Sequence, residues 1–476
     1  MSTPTLTLTR RSAPDQLLQI PPELKPAFLA AGGLSFRDGS SVSAEQIWQY
    51  LTVDGPKRFP SQFAIGRLHG PSNDVWLLSG LKRLYFTTTL VDRLNKAVAN
   101  KVPVVFVQGG QGHEPYYAAG AIPSRPFHVS SWALYLKEKQ SYAEASHNRQ
   151  QLREKSAQKL TVDACQTAGY GIIQAGDVPV TMIAPYLANR CSDIAFGVEA
   201  HRNGPVKLPL GLVDFPVNDQ AGKDWAVSYT AKNLRRLVED IAKVSGKPVT
   251  DQDLWDEYKV HNEKRQLVRE YLKLWWAAKT PPTNSQDHIA IMGLGNESWA
   301  DPVAAKQILA ESLAEVKQRI ADGRRGHGLV ADPSRLFILG SCVNPNLHHT
   351  DQAGGVVVGK DDGYSETFYD VPESGADPYL ALSQTVLSYP YEQPTEKRAQ
   401  WTAEQVQAAR ADGVIFMHQW GCNYQSGVAR LIVDYVGAAT GKPTTIIERT
   451  FAESPEGHEQ LNTRVETFLE IARDSR

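Results

Sequence analysis

Gly413 to Met417, GVIFM, is a short and wholly apolar run between a charged stretch of helical pattern and a second helical pattern from Gly427 to Val436. A buried strand flanked by helices is the repeating unit of a parallel sheet, because parallel strands need crossover connections and are covered on both faces. Cys422 follows this strand closely. It therefore falls at the C-terminal edge of the sheet, where open α/β folds hold ligands and cofactors. The chain has four cysteines, and one stands there.

The same alternation occurs elsewhere. VPVVFV, within Lys101 to Val107, reads as a strand that runs into Gly109 to Pro115 and a short helix. Val178 to Ala184 and Val206 to Asp214 read as further strands. Trp225 to Val244 has helical spacing. Thr250-Asp251-Gln252-Asp253 is a capping pattern that opens a helix to about Lys279, and Pro302 to Ala321 is another. At Arg335 the strand–helix pattern restarts and continues through Gly355 to Val358, the run before Cys422, Thr444 to Glu448 and a closing helix Glu459 to Arg473. With 476 residues the chain exceeds one ordinary core. The expected organisation is a helical or irregular region over 1–99, a first α/β domain with a long helical insertion over 100–332, and a second over 333–476.

A formal net charge of -2 gives no electrostatic reason to expect nucleic acid or an anionic membrane as partner. No run approaches a membrane span. Arg10-Arg11 has no apolar segment behind it, so no export signal is expected and the cytoplasm is the expected compartment. Widely spaced cysteines without a CxxC pair argue against a disulfide scaffold or a zinc ribbon. Gly354-Gly355-Val356-Val357-Val358-Gly359-Lys360-Asp361 has P-loop glycines and lysine, but its valines make a strand and Asp361 stands where a hydroxyl is needed. ATP hydrolysis by this chain is not expected.

His113, His348, His349 and His418 are candidates for acid–base work. His348 and His349 fall on a short surface helix, whereas His113 and His418 lie at strand ends. Cys165, Cys191 and Cys422 each start or precede a helix, where the positive dipole end favours a thiolate. Soft thiolates from three loops meeting at one point suit an iron–sulfur cluster. Buried structural cysteine is the alternative. Cys342 also follows a strand, so placement alone leaves it open.

Several segments, taken in order, resemble the 2-hydroxyacyl-CoA dehydratase and benzoyl-CoA reductase family. VPVVFVQGGQGHEPYYAAGAIPSRP is similar to that family's first motif, a strand followed by Glu and then Ala-Ala-Gly-x-x-Pro. DACQTAGYGII and NRCSDIAFGVE resemble its first two cysteine motifs, and DGVIFMHQWGCN the third. Val249 to Leu254, the stretch Tyr258 to Leu274 with Asn262 and Arg265, SRLFILGSC with QAGGVVVGKDD, and GHEQLNTRVETFLE also find counterparts. The likeness covers about residues 100 to 476.

The resemblance implies two Rossmann-like (flavodoxin-like) parallel-sheet domains with a [4Fe–4S] cluster between them. Its protein ligands would be Cys165, Cys191 and Cys422, leaving one iron without a cysteine. Glu114 matches the motif carboxylate and would lie near that open iron, as a neutral acid or as a ligand, with His113 as the next proton donor. A homologous second subunit, a separate ATP-hydrolysing activator and an acyl-CoA substrate are also implied. Tyr116, Tyr117, Trp420 and Tyr424 lean the reading toward an oxidoreductase that passes single electrons to an aromatic acyl-CoA of the benzoyl-CoA type. A radical 2-hydroxyacyl-CoA dehydratase and a non-catalytic or electron-carrying subunit are the alternatives. Iron and sulfide analysis of anaerobically purified protein is expected to find about one cluster per chain. It should be lost on Cys165→Ala, Cys191→Ala or Cys422→Ala and kept on Cys342→Ala.

Overall fold

The structure, a computed structural model, describes residues 17–60, 63, 74–107, 112–124, 179–184, 198, 202, 204, 206–340, 344–361, 365–419, 422–449 and 455–476. Cys165, Cys191, Cys342 and Trp420 lie outside the described residues. The N-terminal part contributes short helices and an antiparallel pair, β1 (Leu34–Ser35) with β2 (Ser41–Val42). Helices Leu78–Thr88 and Leu90–Ala99 then lead into the first parallel sheet. Its strands are β3 (Val104–Phe106), β4 (Ile122–Ser124) and β5 (Met182–Ile183), in the order β4-β3-β5. The second parallel sheet has β6 (Ser334–Gly340), β7 (Gly355–Lys360), β8 (Gly413–Gln419) and β9 (Thr444–Arg449), in the order β7-β6-β8-β9.

In both sheets the first strand is central, its successor lies on one side and the third on the other. Such an order reverses the winding next to the first strand and opens a crevice at the strands' carboxyl ends. His113 and Glu114 follow β3, and Cys422 follows β8. The inner strands β6 and β8 and the valines of β7 are apolar because both faces are covered; Val356, Val357, Val358, Val414, Ile415 and Phe416 are all fully buried. Gly340, which ends β6, has φ +103, and a Cβ there would stand 2.1 Å from the Met417 carbonyl oxygen. Only glycine allows β6 to turn so close to β8.

One element differs from the sequence expectation, and β4 and helix Ser285–Glu297 add to it. Val206 to Asp214 forms isolated bridges, among them the parallel one of Leu210 with Ile183, in place of a strand. Pro209 has no N–H to give to a ladder; its carbonyl accepts from Ile183 N, and Gly211 N donates to Ile183 O. β4 contains Pro123 and lies at the sheet edge, where a missing donor is tolerated. Helix Ser285–Glu297 forms despite Gly293 and Gly295, its start capped by Asn284 Oδ1 accepting from Asp287 N at 2.8 Å.

Apolar packing links distant parts of the chain. One cluster joins the second sheet to Phe28, Ile47 and Leu81 near the N-terminus and to Val268, Tyr271 and Trp275. Another joins β3 and β5 to Leu234, Leu237, Leu254, Tyr258 and, from much later in the chain, Leu382 and Tyr389. Helix Asp251–Ala277, 27 residues and so about 40 Å long, carries side chains into both.

A buried polar knot closes the carboxyl end of the second sheet. Arg398 Nη2 donates to Asp361 Oδ2 at 2.7 Å and to the Tyr391 hydroxyl at 2.8 Å. Tyr391 in turn donates to Gly340 O at 2.6 Å, and Asp361 Oδ1 accepts from Gly340 N at 2.9 Å. Gln425, in the first turn of the helix that Cys422 opens, lies 3.4 Å from Arg398 Nη1. The knot thus holds the ends of β6 and β7 beside the start of the Cys422 helix. Asp361→Ala would leave Arg398 buried without its counter-charge. We expect a loss of roughly 3–5 kcal/mol, measured by urea unfolding.

Candidate active site

Glu114 opens the short helix Glu114–Ala118 directly after the β3 loop and is fully buried. A carboxylate withdrawn from water needs a counter-charge. Arg265, from the middle of the long helix Asp251–Ala277, supplies it by donating through Nη2 to Glu114 Oε1. Arg265 is itself aimed by Asn262, whose Oδ1 accepts from Arg265 Nη1 at 2.8 Å. Asn262 is pinned to the backbone of the second half, with Nδ2 2.7 Å from Val371 O and Oδ1 3.0 Å from Val371 N.

Glu257, His261 and Arg265 recur at four-residue spacing and so share one helix face. His261 stands between two carboxylates: Nδ1 is 3.9 Å from Glu114 Oε1 and Nε2 is 3.9 Å from Glu257 Oε2. Glu257 is paired with Arg37, which also covers the Tyr117 ring at 5.3 Å. Glu114 Oε2, Glu257 Oε2 and His261 Nε2 are buried and have no hydrogen-bond partner among the described residues.

These groups form one side of a cleft. Gly112, His113 and Glu114 come from the first sheet's carboxyl edge, and His261 and Arg265 from the long helix. Gly295 and Asn296, at the end of helix Ser285–Glu297, form another wall. Glu366, Thr367 and Tyr389 close it from the second half of the chain. Among the described residues no aliphatic side chain lines it.

Burial alone would raise the Glu114 carboxyl, but the Arg265 guanidinium outweighs it and holds the group below the usual carboxylate range. Glu114 is therefore an ion at neutral pH. Its Oε1 is taken by Arg265. Burial, reinforced by Lys264 and Arg265, pushes His261 well below its ordinary value, so the imidazole is neutral. Burial and Arg265 bring Lys264 down to about 7, against the pull of Glu114 and Glu257.

Of the other sequence candidates, His113 is buried and lines the cleft with Glu114. His418 lies at the end of β8, 3.5 Å from Glu448 and outside the cleft lining. His349 is half-buried and paired with Glu466 at 2.7 Å; its helix buries Leu347, Thr350 and Asp351, so it is not the surface helix that the sequence context suggests. Cys422 is buried at the N-cap of helix Asn423–Thr440, just past β8. One thiol of the expected trio thus lies at the carboxyl edge of a parallel sheet; Cys165 and Cys191 lie outside the described residues. Among the described residues no group of His, Cys, Asp and Glu forms a metal site by itself. His261 and Glu257 are absent from the sequence candidates, although the Glu-x3-His-x3-Arg row on a capped helix was available as their signal.

Two parallel α/β sheets with a buried, charged cleft reached from their carboxyl ends define an α/β enzyme component. The chain belongs to the family described as 2-hydroxyglutaryl-CoA dehydratase, D-component, whose model matches residues 113–472. Among curated proteins, none matches the chain. The match begins at His113, so Arg37 and the helices before β3 lie outside it. Among the described residues no helix is long and apolar enough to cross a membrane.

Lys264 ordinarily titrates at 10.5. Held at about 7, it binds fewer protons in the folded than in the unfolded chain between those two values, so its contribution to stability rises with pH across that window. Urea midpoints of the native protein and Lys264→Met, followed from pH 7 to 10, should therefore converge as the pH rises if the substitution stabilises the fold at neutral pH, with the native slope the steeper.

Proposed function

We propose that the chain is the cluster-bearing component of a 2-hydroxyacyl-CoA dehydratase, working with a homologous second subunit and a separate ATP-hydrolysing activator. The observation that carries this reading is the family match together with the chemistry of the cleft. An ion pair, two histidines, Asn296, Thr367 and Tyr389 suit an acyl group that bears a hydroxyl. An aromatic ring offers such groups no hydrogen bond and would desolvate the charges of the cleft. Of the aromatic residues that favour a benzoyl-CoA reductase in the sequence, the three described ones lie outside the cleft lining. Tyr116 is in the core and donates to Ala184 O at 2.9 Å, and Tyr424 donates to Tyr391 O at 3.2 Å. Neither they nor Tyr117 line the cleft.

In this reading Cys165, Cys191 and Cys422 hold a [4Fe–4S] cluster, which when bound supplies a single low-potential electron. Dehydration is redox-neutral, so the electron that enters the thioester must leave again. Within one turnover a C3–H bond and the C2–O bond break. Glu114 Oε2 takes the C3 proton, His113 gives one to the departing hydroxide, and proton return from Glu114 to His113 resets the pair. Arg265 keeps Glu114 ionised until it acts. The buried walls exclude water from the thioester.

The test is turnover by the chain with its partner and activator, ATP and a strong reductant. 2-Hydroxyglutaryl-CoA should be dehydrated and benzoyl-CoA left unreduced; the reverse result would overturn the reading. Glu114→Gln should keep its iron and lose turnover by roughly 10²-fold.

A further inference from the structure

Helix Ser285–Glu297 brings Gly295 and Asn296 to the cleft and then stops in an unusual way. The next three residues all have left-handed backbones: Ser298 (φ 50, ψ -6), Trp299 (φ 43, ψ 50) and Ala300 (φ 69). None is glycine, asparagine or aspartate, the residues that adopt this conformation at low cost. Backbone strain persists only where the surroundings over-determine it, and it gathers at functional sites.

The surroundings do over-determine it. Lys264 donates to the Ser298 hydroxyl, both side chains fully buried. Arg93 Nη2 donates to Trp299 O at 2.9 Å. Asp301 N returns to Ser298 O at 2.9 Å, and the Asp301 side chain caps the following helix through Ala304 N while accepting from Arg37 N. Trp299 and Ala300 pack against Leu90, Leu94 and Val104. Behind the cleft wall, a Cβ on Gly295 would stand 2.5 Å from Val268 of the long helix. The wall thus has no slack toward that helix.

We propose that the left-handed turn Ser298–Ala300, latched by Lys264, is a positioning device that fixes Asn296 as a substrate-contacting residue opposite Glu114. The assignment rests on the dehydratase reading for its substrate. Lys264 precedes Arg265 on the long helix, so one element clamps Glu114 and holds the opposite wall. Arg37 and Arg93, which brace the turn, come from residues before the family match. The N-terminal segment therefore helps to shape the cleft.

Ala300→Gly tests the device, because it removes one methyl and the strain but none of the hydrogen bonds. In the complex with partner and activator, the melting temperature should hold or rise. The kcat for 2-hydroxyglutaryl-CoA should fall roughly tenfold to a hundredfold. Amide hydrogen exchange over 293–301 should quicken. A turn that only joins two helices would show the stability change with unaltered kcat and exchange, which would overturn the proposal. Asn296→Ala should raise KM at unchanged melting temperature, and an unchanged KM and kcat would remove Asn296 from the assignment. If the native complex turns over no acyl-CoA, the dehydratase reading fails by itself. The exchange comparison then decides the device, and equal exchange in native protein and Ala300→Gly overturns it.

Discussion

The ion pair between Glu114 and Arg265 sets the terms for much of this structure. Neither charge could be buried alone, and the two residues are separated by 151 positions in the chain. Their meeting requires the first sheet, the long helix and the Val371 backbone that aims Asn262 to be in place together. Removing the pair's geometry would leave an unpaired charge in the cleft, a far larger penalty than losing an exposed bridge. The pair also decides the chemistry available there, since it keeps Glu114 ionised despite complete burial.

Further buried charges attach the N-terminal segment to the same scaffold. Arg83 pairs with Asp287, Lys82 with Glu311 at 2.8 Å, and Arg319 with Asp74 at 2.6 Å. Arg37 reaches Glu257 on the long helix. Such pairs add little net stability compared with apolar packing, but each has a direction and a distance. They fix where helices Leu78–Thr88 and Pro302–Ala321 lie against each other, while the apolar contact between them supplies the burial. The segment outside the family match is thus built into the cleft's support.

The cleft explains why one acyl chemistry fits better than another. Aromatic residues dense in the sequence motifs serve the core, as Tyr116 does, or reinforce the ends of the second sheet, as Tyr424 and Tyr391 do. What remains for a substrate is polar. Local text around a motif cannot distinguish a tyrosine that lines a site from one that supports it, because both lie within a few residues of the same strand end.

The sequence by itself determined the parallel strands β3, β6, β7 and β8, whose apolar runs have no other use. It also determined the capped long helix and the placement of Glu114, His113 and Cys422 at carboxyl edges, through patterns that operate within a few residues. The fold class follows from these. The sequence did not show that Val206 to Asp214 would form isolated bridges and no strand, that Ser285–Glu297 would be helical through two glycines, or that His261 and Glu257 would stand behind Glu114. Only the tertiary structure decided those, together with the left-handed turn at Ser298 to Ala300. Each depends on a partner far away in the chain, such as Ile183, Val268, Glu114 or Arg93, and no local preference encodes the distance to it.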